Sequence, residues 1–161
     1  MLIRDFRWSE DEFARADESE LLPDGPVLVS LARLQSEYDS LASSARSLGV
    51  RIEAEERVEH LAPYLDRLNL VALAFSKFRD GRPYSSAALL RTRYGFKGEL
   101  RAVGEVLIEQ APQMIRCGFD AFEPADGSTP DDWARKARLF RHVYQRAEDG
   151  REPVFEERAH G

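Results

Sequence analysis

The segment SKFRDGRPYS, residues 76–85, sets Lys77, Arg79, Asp80 and Arg82 close together. Cations at this spacing can recognise anions, because guanidinium forks and an ammonium group donate charge-assisted hydrogen bonds to phosphate, sulfate, a carboxylate or an acidic protein surface. Asp80-Gly81 supplies a tight turn and Pro83 fixes a backbone torsion, so the loop is restrained. Ser85 is expected to cap the following helix, whose free N–H groups would add to the same anion-binding surface. The plainer alternative is a solvated loop in which Asp80 neutralises an arginine. No G-x-G-x-x-G or Walker lysine motif accompanies the loop, so nucleotide binding has no positive support.

Arg101 is a second candidate. It lies inside GELRAVGEVL, on the same strand parity as Val103 and Glu105, where a covered strand would prefer apolar residues. A buried guanidinium needs a carboxylate, a carbonyl or a ligand, so Arg101 is expected to be at least partly buried and paired. Glu105 and Gln110 follow closely enough to line the same mouth, and Tyr84 and Tyr94 could contact a ligand or simply pack. If the site were catalytic, Asp80 and Glu105 would be the acid–base candidates, with Arg79, Arg82 and Arg101 orienting an anionic substrate. Cys117 has no nearby histidine to activate it and reads as a small buried hydrophobe.

Charge is unevenly distributed. From Ser76 to Arg101 there are seven cations (Lys77, Arg79, Arg82, Arg91, Arg93, Lys97, Arg101) against Asp80 and Glu99, a local +5 in a chain of net charge -6. An acidic protein does not bind nucleic acid over its whole surface, so the cations point to a local partner. One cysteine excludes an internal disulfide, and His60, His142 and His160 lack metal-ligand spacing, so neither a protein-ligated metal nor another cofactor is predicted. The N-terminal sequence lacks a signal-peptide pattern and no apolar run is long enough to span a bilayer, which predicts a cytoplasmic protein without a membrane partner.

The elements that would position these residues alternate between short apolar runs and helical patterns. GPVLVSL, VRIEAE, LVALAF, GELRAV and FDAFEP read as five strands, of which LVALAF is continuously apolar and central. Leu34, Tyr38, Leu41, Ala45 and Leu48 mark a helix stopped by Gly49. Val58, Leu61, Leu65 and Leu68 mark a second, interrupted by Pro63. Val106, Leu107, Met114 and Ile115 mark another, with Pro112 as a break or second start. Trp133, Ala137, Phe140 and Tyr144 share a face of a last helix capped by Asp131 or Asp132. The pattern predicts one α/β domain over 1–161, with an N-terminal extension to about residue 24 and a polar tail from about 150. Its architecture is expected to be an open, mostly parallel five-stranded sheet with helices on both faces; a half-barrel of βα units is the alternative.

The stretch LVALAFSKFRDGRPYSSAALLRTRYGFKGELRAVGEVLIEQAPQMIRCGFDAFE resembles the signature region of an uncharacterised bacterial family labelled "probable oxidoreductase". The resemblance rests on Phe78 to Arg82, Tyr84, Ser85, Leu90, Arg91, Tyr94, Gly95, Gly98 to Arg101, Gly104, Gln110, Gly118 to Asp120 and Phe122. It departs from that pattern at Glu105 and Glu109, where aspartate is frequent, and at Pro112. Members of that family are commonly encoded beside sulfite reductase and the phosphoadenosine or adenosine phosphosulfate reductase of sulfate assimilation. The resemblance therefore implies an accessory or partner protein of assimilatory sulfite reduction, meeting sulfite reductase, another protein of that pathway, or a sulfur oxyanion or phosphate. The alternative class is a small enzyme acting on an anionic metabolite. No flavin, nicotinamide or iron–sulfur motif accompanies the oxidoreductase label.

Overall fold

A computed structural model describes residues 1–16, 21–77 and 79–138. Phe78, Phe140, Tyr144, His142, His160 and the tail from 150 lie outside the described residues. The strands are β1 (Leu2–Arg4), β2 (Arg7–Ser9), β3 (Ala14–Arg15), β4 (Val27–Ser30), β5 (Leu48–Ile52), β6 (Leu70–Phe75), β7 (Glu99–Gly104) and β8 (Ala121–Phe122). The helices are α1 (Leu31–Ser43), α2 (Arg82–Thr92), α3 (Ala111–Arg116) and α4 (Pro130–Ala137).

All eight strands form one sheet in the order β2-β1-β8-β7-β6-β5-β4-β3. From β3 to β8 every neighbour is parallel, while β1 runs antiparallel to both β8 and β2. The five strands read from the sequence are β4 to β8, lying side by side in chain order. Three more, β1 to β3, come from the segment read as an N-terminal extension.

Chain order decides where the helices go. Each parallel crossover is right-handed, so strands added successively in one direction place their connections on one face; a doubly wound sheet needs a reversal of strand order, which this sheet lacks. Val71, Leu73 and Phe75 of β6 pack in one cluster with Leu34 of α1, Leu90 of α2, Met114 of α3 and Trp133 of α4. The opposite parity, Leu70, Ala72 and Ala74, joins Leu28, Val103 and Phe13 and meets no helix core. The expectation of helices on both faces is therefore corrected to helices on one.

The sheet is also curled. If flat, its outermost strands would stand about 34 Å apart. Yet the chain passes from Ser9 at the end of β2 to Ala14 at the start of β3, from one edge to the other, over residues that extend at most about 18 Å. The result is the half-barrel alternative, with residues 10–13 strapped across its concave, helix-free face.

Several local readings change with the fold. Gly49 lies within β5 and does not stop a helix: a Cβ there would come within 3.1 Å of Leu28 and Leu70 on adjacent strands. The segment around Pro63 forms two 3-10 turns, Val58–Leu61 and Leu65–Arg67, in place of a helix. Pro112 starts α3. Thr129, not Asp131 or Asp132, caps α4, its side chain accepting from the Asp132 N–H while Asp132 closes the capping box.

Candidate functional site

The +5 segment does not form one patch. Lys77, Arg79 and Arg82 follow the carboxyl end of β6, whereas Arg93 and Lys97 lie between α2 and the start of β7. Arg91 is a structural staple: its guanidinium donates to the carbonyls of Gly118, Phe96 and Gly98 and pairs with Asp120. Arg101 is within the sheet.

At the carboxyl end of β6, Asp80 organises the loop. It accepts from the Arg82 backbone N–H at 3.0 Å, from Arg82 Nε at 2.9 Å and Nη2 at 2.7 Å, and from Ser76 Oγ at 3.2 Å. These bonds, the Arg82 guanidinium first, hold its carboxyl well below the usual carboxylate range. A carboxylate fixed in its ionised form is unsuited to donating a proton near neutral pH. Arg82, 57% exposed, also approaches Glu55 at 3.5 Å. Helix α2 starts at Arg82 with Gly81 at its cap, so Ser85 is an exposed first-turn residue and not the cap. Lys77 and Arg79 are exposed and make no side-chain hydrogen bond or ion pair among the described residues.

The groove beside this loop, about 550 Å³, is lined by Gly81, Arg82, Ser85 and Ser86 on one side and by Glu55, Glu56, Arg57 and Glu59 on the other. Its carboxylates oppose an anionic small molecule seated inside. The cations that remain available, Lys77 and Arg79, are not among its lining residues.

Tyr84 and Gln110 form a separate pair on the helix-covered side. Tyr84 is half-buried against Phe75, with ring centroids 5.1 Å apart, and burial raises its hydroxyl pKa despite a hydrogen bond with Gln110. Gln110 is buried and its Oε1 accepts from the Leu107 N–H at 2.8 Å. Both act as packing and capping groups. Glu105 is exposed just beyond β7, its N–H donating to Phe75 O at 2.9 Å. Cys117 is half-buried, which pushes its thiol pKa up and so disfavours the thiolate.

Arg101 is fully buried, at 0% exposure, on the helix-free face. Register places it between Ala121 of β8 and Ala72 of β6, small residues that leave room for a guanidinium. Its Nε donates to Glu99 at 2.8 Å and Nη1 to Asp11 at 2.9 Å, with Glu123 at 3.4 Å. The same acids serve other arginines: Arg4 binds Glu99 at 2.7 Å and Arg15 binds Glu123 at 2.6 Å. Burial lowers the Arg101 pKa, but the hydrogen bonds with Asp11 and Glu99 outweigh it and the net shift is upward. The expectation of a buried, paired Arg101 is thus met.

Sequence reasoning did not include Asp11, Arg4, Arg15 or Glu123 in the site. Glu99 carried a local signal, since it shares strand parity with Arg101 at i,i+2. Asp11 carried none, because only the curl of the sheet brings the strap to β7.

The described residues place no group of three or more His, Cys, Asp or Glu so as to hold a metal ion, and contain no helix long and apolar enough to cross a membrane. A search of curated proteins returns no match. A scan against protein families matches residues 49–155 of the 161, a span that contains all but the first residue of β5, β6 to β8, the cationic loop and Arg101, to "Bacterial protein of unknown function (DUF934)". That span is well over half of the chain, and the protein belongs to this bacterial family, DUF934.

Proposed function

We propose that the protein is an accessory component of assimilatory sulfite reduction that docks onto an acidic surface of a partner, sulfite reductase first among the candidates, through the loop after β6. The observation that carries the docking mode is the division of labour in that loop. Asp80 engages Arg82 and shapes the turn, while Lys77 and Arg79 stand exposed without a carboxylate partner among the described residues. Exposed cations on a restrained loop steer and orient an acidic partner, a contribution that is strongly salt-dependent. The sulfur pathway comes from the sequence resemblance.

The enzyme reading has less support. It required Arg79, Arg82 and Arg101 to orient one substrate, but Arg101 lies mid-strand on the concave face beneath the 10–13 strap, apart from the loop after β6, Arg82 is clamped by Asp80, and the adjoining groove is lined by three glutamates. The test is titration of wild type and a Lys77→Gln/Arg79→Gln variant with sulfite, sulfate, adenosine phosphosulfate and purified sulfite reductase. Weakened binding of the variant to sulfite reductase, with an unchanged melting temperature, supports docking. Equal binding by both proteins to every candidate rejects it.

A further inference from the structure

The concave face holds a second feature that the docking loop does not use. Arg101 has five N–H donors in a planar fork, yet its Nη2 is buried with no hydrogen-bond partner among the described residues. Buried donors are nearly always satisfied, and an arginine inside a sheet is not required for folding, because apolar replacements of buried ion pairs are often as stable. The strap covers this fork incompletely. Asp11 reaches only Nη1, with Oδ1, and the same oxygen also accepts from the Phe13 N–H at 3.2 Å. Asp11 is 33% exposed, and the Phe13 ring lies 5.8 Å from Arg101 Cζ over Leu28, Leu70, Ala72, Ala74 and Val103.

We propose that the helix-free face is a binding site for a small oxyanion centred on the Nη1–Nη2 edge of Arg101, and that the 10–13 strap closes it with Asp11 in the ligand's place. A carboxylate, sulfate or phosphate group presents two oxygens and would satisfy Nη1 and Nη2 together, which the single Asp11 oxygen does not. Glu99 and Arg4 hold the Nε side of the fork, so the open side is the one the strap covers. The strap is displaceable because few interactions retain it: the two-residue β3, the Asp11–Arg101 contact, the exposed Arg15–Glu123 pair and the half-buried Phe13. Ligand entry replaces the Asp11 carboxylate by another anion: a carboxylate keeps the charge balance around Arg101, whereas sulfate or phosphate brings additional negative charge beside Glu99 and Glu123. The site is independent of the docking loop, and Lys77→Gln/Arg79→Gln leaves it intact.

The experiment is amide hydrogen exchange across residues 10–15 of the full chain, at constant ionic strength, in rising acetate, sulfate or phosphate as separate arms. Wild type is expected to show a saturable rise in strap exchange with at least one probe. The effective arm separates planar carboxylate from tetrahedral oxyanion recognition. Asp11→Asn, which removes the competing charge and keeps Arg101, is expected to respond at lower concentration of the same probe. Arg101→Lys, which keeps a charge and loses the fork, is expected to lose the response. Strap exchange that is unchanged by every probe in both wild type and Asp11→Asn overturns the proposal, as does an Arg101→Lys response equal to that of wild type.

Discussion

At the residue scale, the buried arginine and the clamped aspartate make opposite demands on stability. Two of the carboxylates around Arg101 have other partners, since Glu99 keeps Arg4 and Glu123 keeps Arg15 if Arg101 is removed, and the third, Asp11, is partly exposed and keeps the Phe13 N–H. Arg101→Met should therefore cost little, on the order of 1 kcal/mol or less, while Glu99→Gln, which leaves a buried cation undercompensated, should cost roughly 3 kcal/mol. Urea unfolding of the two variants checks this order, and the reverse order would contradict it. Asp80 makes a pH-dependent prediction. Its folded pKa lies below the unfolded value of about 3.9, so its stabilisation is present above that pH and is lost as pH falls through the folded value. Asp80→Asn should lower the melting temperature at neutral pH, and the gap from wild type should shrink in acid. A gap that persists in acid would mean that the Asp80 contribution does not depend on its charge. The burial of Arg101 could be read from the sequence because an arginine interrupts an apolar strand. Its partner Asp11 could not, since that contact joins residues 90 positions apart through the curl of the sheet.

At the element scale, the strands were legible where side-chain pattern determines them. LVALAF is buried along its whole length, and β4, β6, β7 and β8 fall within or beside the runs read as strands, whereas β5 begins at Leu48, two residues before the alternating VRIEAE and in positions read as the end of a helix. The β1–β2 hairpin was not, because its turn uses Asp5 and Phe6 at φ 50° and 55° in place of the Asn-Gly pair that normally announces such a turn. Helix starts were misplaced where the capping signal was ambiguous: Ser85 and Asp131 both have capping chemistry, but Arg82 and Pro130 had already begun the helices. The glycine at the end of β7 has a stricter role. Gly104 sits at φ +87°, and a Cβ there would lie 2.6 Å from the Phe75 carbonyl oxygen of β6. Gly104→Ala should destabilise the protein by about 1–3 kcal/mol or more, from left-handed strain with a backbone clash added. Thermal melts matching wild type would show that the β6–β7 ends relax more readily than this contact allows.

At the scale of the whole molecule, curling the sheet separates two environments that the sequence presents as one basic region. Arg101 is turned into the concave face, Arg91 is spent on carbonyls and Asp120, and Lys77 and Arg79 remain outside at the carboxyl end of β6. A linear charge count cannot make this division, because it depends on strand parity and on which loops share an end of the sheet. The strand order was equally hidden: apolar runs identify strands but do not distinguish a one-directional winding from one that reverses. The docking account depends on Lys77 and Arg79 acting from outside the core, and its most direct test is sedimentation of the protein with purified sulfite reductase at low and high ionic strength, for wild type and Lys77→Gln/Arg79→Gln. The account predicts a complex with wild type that weakens as salt rises, and a variant that binds weakly at low salt and changes little thereafter. Binding of wild type and variant that is equal at both ionic strengths, or no complex with wild type at low salt, would contradict it.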